Sequence, residues 1–185
     1  MLEAAGLAFE TIASTVDEPA LRGRLEACNA HIAPVAIAAA LAAAKAEEIS
    51  RSHAEALVIG ADQVLALERR IFEKPTDIKA ARKQLMALRG QTHELVSAVV
   101  LAEHGQVVWR HEATAKMTVR SFSEDFLDRY LDAVGVDVCQ SVGAYQLEGL
   151  GAQLFEDIEG DYFTILGLPL IALLEALRAR KVIRS

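Results

Sequence analysis

Two acidic and two basic positions stand out for what their side chains could do together. Asp62 follows within two residues the continuous apolar run at 57–60, and Glu18 closes a Val16-Asp17-Glu18 stretch. Lys45 lies toward the end of an alanine-rich run, and Lys74 precedes Pro75. Carboxylates can hold a divalent cation or take a proton from water, and ammonium groups can take up negative charge that develops on a reacting group. Taken singly, each residue also has an ordinary use. An Asp beyond a strand caps a turn, a Glu in a loop is solvated, and a Lys near a helix C-terminus answers the helix dipole. The other chemistry-bearing types are less suggestive. His31, His53, His104 and His111 have no metal-ligand spacing, and Ser97, Ser141 and Cys139 lack the surroundings of an activated nucleophile. His93, at a strand entry in Leu-Arg-Gly-Gln-Thr-His, reads as a hydrogen-bonded structural residue. Neither a phosphate-cradling G-x-x-x-x-G-K-[ST] loop nor a G-x-G-x-x-G turn occurs.

The elements that must position these residues follow from periodicity. Residues 1–6 read as the tail of a helix ended by Gly6, and residues 7–13 alternate as a strand would. The alanine-rich run at 33–50 is a helix with Pro34 in its first turn, which puts Lys45 near its C-terminal end. Residues 57–60 form a buried strand that sets Asp62 at the sheet rim, with Gln63 beside it. Residues 64–67 and 71–72 flank Glu68-Arg69-Arg70 as a small hairpin. Thr76 can cap a helix with the apolar face Ile78, Ala81, Leu85 and Leu88, stopped by Gly90. Residues 94–102 and 106–112 are strands joined across His104-Gly105, and 113–119 is a half-buried antiparallel strand. Ser121-Phe-Ser-Glu124 fits a capping box for a helix with the stripe Phe126, Leu127, Tyr130, Leu131 and Val134, ended by Gly135. Strands are predicted around 153–158 and 162–166, and a closing amphipathic helix over 170–180.

Composition narrows the classes of function. With 185 residues, 52% of them hydrophobic, the chain can bury a substantial core as one domain or two tightly joined lobes. Its longest apolar stretch, at 32–44, falls short of the ~20 residues that a membrane span needs, so no membrane partner is expected. Met1 leads into Leu-Glu-Ala-Ala-Gly with neither a basic region nor an apolar signal core, and the expected location is the cytoplasm. Cys28 and Cys139 are far apart in sequence and read as reduced structural residues. A net charge of −7 argues against a nucleic acid polymer as partner, because a phosphate backbone calls for clustered Lys and Arg. A single nucleotide needs only a few local cations and a metal held by carboxylates, which an acidic protein can supply.

Residues 143–170 hold five of the eleven glycines between short apolar runs. Together with Val16-Asp17-Glu18, the Val-Ile-Gly-Ala-Asp-Gln-Val stretch at 58–64 and Glu-Lys-Pro at 73–75, this segment completes four motifs in order. In these motifs the chain resembles the Maf family of nucleoside triphosphate pyrophosphatases, from Met1 to about Ile183. The resemblance implies a single α/β domain over 1–185, with a twisted mixed sheet, flanking helices and two lobes around a central cleft, as in the inosine-triphosphatase-like fold. It implies hydrolysis of a nucleoside triphosphate to the monophosphate and pyrophosphate, by water attacking the α-phosphorus, with a divalent cation, Mg2+ or Mn2+. Asp62 would be the catalytic carboxylate and a metal ligand, Glu18 the second catalytic and metal-binding acid, and Lys45 and Lys74 the phosphate contacts. Asp62-Gln63 and Gln146-Leu147-Glu148-Gly149 look more like the subgroup acting on 7-methyl-GTP than the one acting on dTTP and UTP. On that reading Gln63 and Glu148 join the substrate site. Glu148 could accept hydrogen bonds from a guanine edge or, alternatively, tie down the glycine-rich loop. The family's opening strand and Ser-x-Ser-Pro-Arg-Arg-like loop have no counterpart, because the sequence begins just after their place, so an N-terminally truncated domain is expected. The rival readings are a nucleotide-binding or division-associated regulator impaired in catalysis, and a partner-binding domain without a ligand. The resemblance leaves a homodimer open.

Overall fold

A computed structural model describes residues 1–184. Its strands form one five-stranded antiparallel sheet in the order β2-β1-β3-β4-β5. They are β1 (Val58–Leu67), β2 (Arg70–Phe72), β3 (Thr92–Glu103), β4 (Gln106–Val119) and β5 (Phe155–Glu159). The helices are α1 (Glu18–Cys28), α2 (Pro34–Ser52), α3 (Ile78–Leu88), α4 (Glu124–Val134), the single turn α5 (Tyr162–Ile165) and α6 (Leu170–Ala179). The expected α/β class holds, and the sheet is antiparallel where a mixed one was expected. Two compact units divide the chain, and β1, β3 and β4 each contribute residues to both.

The first unit comprises Met1–Gln63, Val96–Ala113 and the chain from Tyr162 onward. Its core sets Val99 and Leu101 of β3 against Leu168, Leu170, Leu173 and Leu177, with Ile59 and Trp109 packed alongside. The α6 positions recur at three and four residues, so one stripe is buried, and each fully buried leucine contributes about 2 kcal/mol relative to exposure. β1 lies against α2 at Gly60. A Cβ there would stand 2.5 Å from the Ala42 carbonyl oxygen and 2.7 Å from the Ala46 Cβ, so the close approach of strand and helix requires glycine.

The second unit comprises Val64–Leu95 and Thr114–Asp161. The predicted hairpin is present, with Leu65 opposite Phe72 and Leu67 opposite Arg70, and Glu68 takes a positive φ of 56° in its turn. Leu85 and Leu88 of α3 and Leu127 and Leu131 of α4 are buried. β4 pairs with β5, and the register shifts between Thr118 and Val119.

Several sequence expectations change. Residues 1–6 form turns, and residues 7–13 have no strand ladder, because alternation alone supplies no hydrogen-bonding neighbour; Phe9 and Ile12 are exposed. β1 runs unbroken from Val58 to Leu67, so Asp62 is mid-strand rather than past a strand end. Residues 162–165 are a helical turn, since a short apolar run has no decisive period. Asp77, not Thr76, caps α3 by accepting the Ala80 N–H at 2.7 Å. Ser123, not Ser121, caps α4 by accepting the Phe126 N–H at 3.1 Å. α2 extends to Ser52, which leaves Lys45 two turns inside its end.

Candidate active site

Three of the candidate residues meet in the first unit. The Lys45 ammonium donates to Asp62 Oδ1 at 2.7 Å and stands 2.7 Å from Glu18 Oε1. Each comes from a different element. Glu18 opens α1, where the neighbouring Asp17 accepts the Ala20 N–H at 2.9 Å as the helix cap, so Asp17 is spent on the backbone while Glu18 reaches the lysine. Lys45 projects from α2, one residue from the Ala46 that packs on Gly60, and Asp62 lies two residues along β1 from that glycine. The tight helix-strand contact therefore sets the Lys45–Asp62 distance.

Exposure grades across the three: the Asp62 side chain is 9% exposed, Lys45 23% and Glu18 44%. Burial pushes the Asp62 carboxyl above its ordinary range. The hydrogen bond and charge of Lys45 pull it back, the Glu18 charge adds to the rise, and the Arg22 charge opposes it. For Lys45, burial acts to lower the pKa, but the bonds to Asp62 and Glu18 and their charges outweigh it, and the ammonium is held above the usual lysine value. The result is a protonated lysine between two carboxylates, the more buried of which is a stronger base than an ordinary Asp.

Gln63 points into a different network. Its Nε2 donates to Ser97 Oγ at 2.9 Å, to the Thr164 carbonyl at 2.9 Å and to the Ile165 carbonyl at 3.1 Å. Ser97 Oγ donates to the same Thr164 carbonyl at 2.8 Å, and both residues are fully buried. The amide thus fixes the α5 turn to the sheet. Lys74 and Glu148 belong to the second unit, both exposed, Lys74 beside the buried Pro75 and Glu148 in the glycine-rich segment.

Two residues of the cluster's surroundings escaped sequence reasoning. Arg22, four residues after Glu18 on α1, acts on Asp62 through its charge, and the i,i+4 spacing was its available signal. Glu48, on α2, accepts the Thr15 N–H at 3.0 Å and bonds the hydroxyls of Ser14 and Thr15. No sequence pattern marked it. His93 is the buried structural histidine expected, with Nε2 2.7 Å from the Tyr145 hydroxyl. Cys28 and Cys139 are both free.

Among the described residues no group of three or more His, Cys, Asp and Glu could hold a metal ion, and no helix is long and apolar enough to cross a membrane. An all-protein metal cage is therefore not what this cluster offers. Two carboxylates already drawn to one cation by 2.7 Å contacts do suit Mg2+, which takes one or two carboxylates and completes its shell with water and substrate phosphates.

Comparison with known proteins agrees with the resemblance drawn from the four motifs. A family model described as Maf-like protein matches residues 1–180. A protein of Rhizobium meliloti (strain 1021) named 7-methyl-GTP pyrophosphatase is 53% identical over 178 residues, covering 96% of this chain and 88% of the relative. A nucleoside triphosphate pyrophosphatase of Paramagnetospirillum magneticum (strain ATCC 700264 / AMB-1) is likewise 53% identical over 178 residues, covering 96% of this chain and 91% of its own length. A 7-methyl-GTP pyrophosphatase of Brucella abortus biovar 1 (strain 9-941) is 49% identical over 183 residues, covering 99% and 91%.

Proposed function

This chain belongs to the Maf-like family, and on that footing we propose that it hydrolyses nucleoside triphosphates to the monophosphate and pyrophosphate, with 7-methyl-GTP as the preferred substrate. The observation that carries the chemistry is the Glu18–Lys45–Asp62 line, with both carboxylate contacts at 2.7 Å. Asp62 takes a proton from the water that attacks the α-phosphorus, and its burial supports that role by raising its basicity. The α–β anhydride bond breaks and pyrophosphate leaves with the bridging oxygen. Lys45 exchanges its carboxylate contacts for phosphate oxygens and takes up their developing charge, with Lys74 as a second phosphate contact. Glu18 and Asp62 would hold the divalent cation, which would supply neutralisation of phosphate charge. Gln63, next to Asp62 on β1, contributes to the substrate site by fixing α5 to that strand.

Glu148 reads the guanine edge, where a carboxylate accepts from N1–H and the 2-amino group. The preference for 7-methyl-GTP rests on the names of two relatives and on the Asp62-Gln63 and Gln146–Gly149 motifs. Two free cysteines support a reducing, cytoplasmic setting.

The test is pyrophosphate release across 7-methyl-GTP, GTP, dTTP and UTP, with Mg2+, Mn2+ or chelator present. Release from 7-methyl-GTP at the highest kcat/KM, lost with chelator, is expected. Equal rates on all four substrates would remove the base preference, and full activity in chelator would remove the metal.

A further inference from the structure

The proposed chemistry depends on Glu18, yet α1 offers little apolar reason for that residue to stay in place. No residue of α1 is buried, so the helix gains little from core packing. Its approach is instead organised by polar contacts with α2. Lys45 and Glu48 are three residues apart on that helix and share a face. Lys45 takes Glu18, and Glu48 takes the segment just before it.

That segment is bonded residue by residue. The Glu48 carboxylate accepts the Thr15 N–H with Oε2 at 3.0 Å and Oε1 at 3.2 Å, and the Ser14 and Thr15 hydroxyls donate to it as well. The Val16 N–H donates to Ser14 Oγ at 3.2 Å, and Asp17 then caps α1. From Ser14 to Glu18 each position is thus fixed by a side chain or cap. These donors also hold the Glu48 carboxyl below the usual carboxylate range, the Ser14 hydroxyl first and Thr15 next, so the group stays ionised.

We propose that Glu48 is a positioning residue of the active site: its carboxylate latches residues 14–16 to α2 and so sets Glu18 against Lys45 and Asp62. The proposal rests on the assignment of Glu18 to the reaction. Its weight falls on turnover rather than on nucleotide affinity. Once Lys45 turns to phosphate, Glu18 gives up its ammonium contact, and the latch keeps α1 in register, with Glu18 toward the cation, while the anhydride breaks.

The experiment is a double-mutant cycle on pyrophosphate release, using Glu48→Ala, Glu18→Gln and the pair. Loss of a supporting contact of this kind reduces activity by about 10-fold to 100-fold. Glu48→Ala is expected to lower kcat about tenfold with KM within about twofold, and Glu48→Gln, which keeps an oxygen for the Thr15 N–H, to recover most of it. In the Glu18→Gln background, Glu48→Ala should cause no further loss, because the residue it positions is already disabled. Wild-type kcat in Glu48→Ala overturns the latch, and so does a loss that multiplies with that of Glu18→Gln. If Glu48→Ala does not fold, Thr15→Val in both backgrounds decides by the same additivity criterion. Full activity of Glu18→Gln alone would instead overturn the role of Glu18, a result distinct from failure of the latch.

Discussion

Asp62 in the first unit and His93 in the second are both ionisable groups taken out of water, yet their surroundings treat them oppositely. His93 is buried against neutral partners, with the Tyr145 hydroxyl 2.7 Å from Nε2 and the Phe155 ring beside it. Burial alone drives its pKa down to about 4, and burial, with the neighbouring Tyr130 adding to it, drives that of Tyr145 far above the usual phenol value. Both groups are therefore neutral and spent on packing. Asp62 is pushed by burial in the same sense, toward its neutral form, but Lys45 at 2.7 Å and the Arg22 charge oppose the push. The cluster keeps its charges and reaches solvent through Glu18, 44% exposed. Desolvation without a counter-charge makes structure, whereas desolvation balanced by one makes a poised base.

Breaking that balance from the lysine side should have a large effect. Lys45→Ala leaves two carboxylates facing each other without their cation and removes the proposed phosphate contact, so kcat/KM should fall about 10²- to 10³-fold. The acid limb of the pH–rate profile should also move upward as Asp62 loses its opposing charge; an unmoved limb would detach Asp62 from Lys45. In the second unit, the depressed His93 pKa means that the unfolded chain binds the proton first. Stability is complete above pH about 6.5 and falls as the pH drops toward 4, by about 3 kcal/mol in all. Urea unfolding of wild type and His93→Gln across that range should show the slope in the former only, with kcat at neutral pH unchanged in the variant.

Smaller again is Glu148→Gln. Loss of a charged hydrogen bond worth about 1.5–3 kcal/mol should lower kcat/KM for 7-methyl-GTP about 10- to 100-fold more than for UTP. Equal losses would return Glu148 to tying down its loop. The smallest is Tyr145→Phe, which removes a neutral hydrogen bond and should cost about 1 kcal/mol in unfolding with kinetics unaltered. A kinetic effect there would show that the second unit's cluster is more than structural.

Which of these features could be read from sequence follows from the range of the forces involved. α2, α3, α4 and α6 were legible because helical period and propensity are local, and the hairpin around Glu68 because turn residues announce it. The caps slipped by one or two residues at Asp77 and Ser123, since neighbouring Ser, Thr and Asp compete equally well on paper. Asp62 was assigned to a strand end because hydrophobicity stops at Gly60. In the fold, β1 continues through Asp62 and Gln63, since tertiary partners, Lys45 for one and Ser97 with the α5 carbonyls for the other, satisfy both polar side chains inside the sheet. Glu48 was invisible for the same reason, as its partners lie more than thirty residues away.

Asp62, buried in β1 and held by Lys45, is the proposed base of the reaction. The most direct measurement is pyrophosphate release by wild type and Asp62→Asn under saturating 7-methyl-GTP and Mg2+, with thermal melting recorded on the same preparations. Asparagine keeps the shape and removes the charge that burial disfavours, so the melting temperature should fall by no more than about 2 °C. In that folded protein kcat should fall about 10³-fold. Turnover within about threefold of wild type would contradict it, because no reaction that used this carboxylate as its base could lose so little.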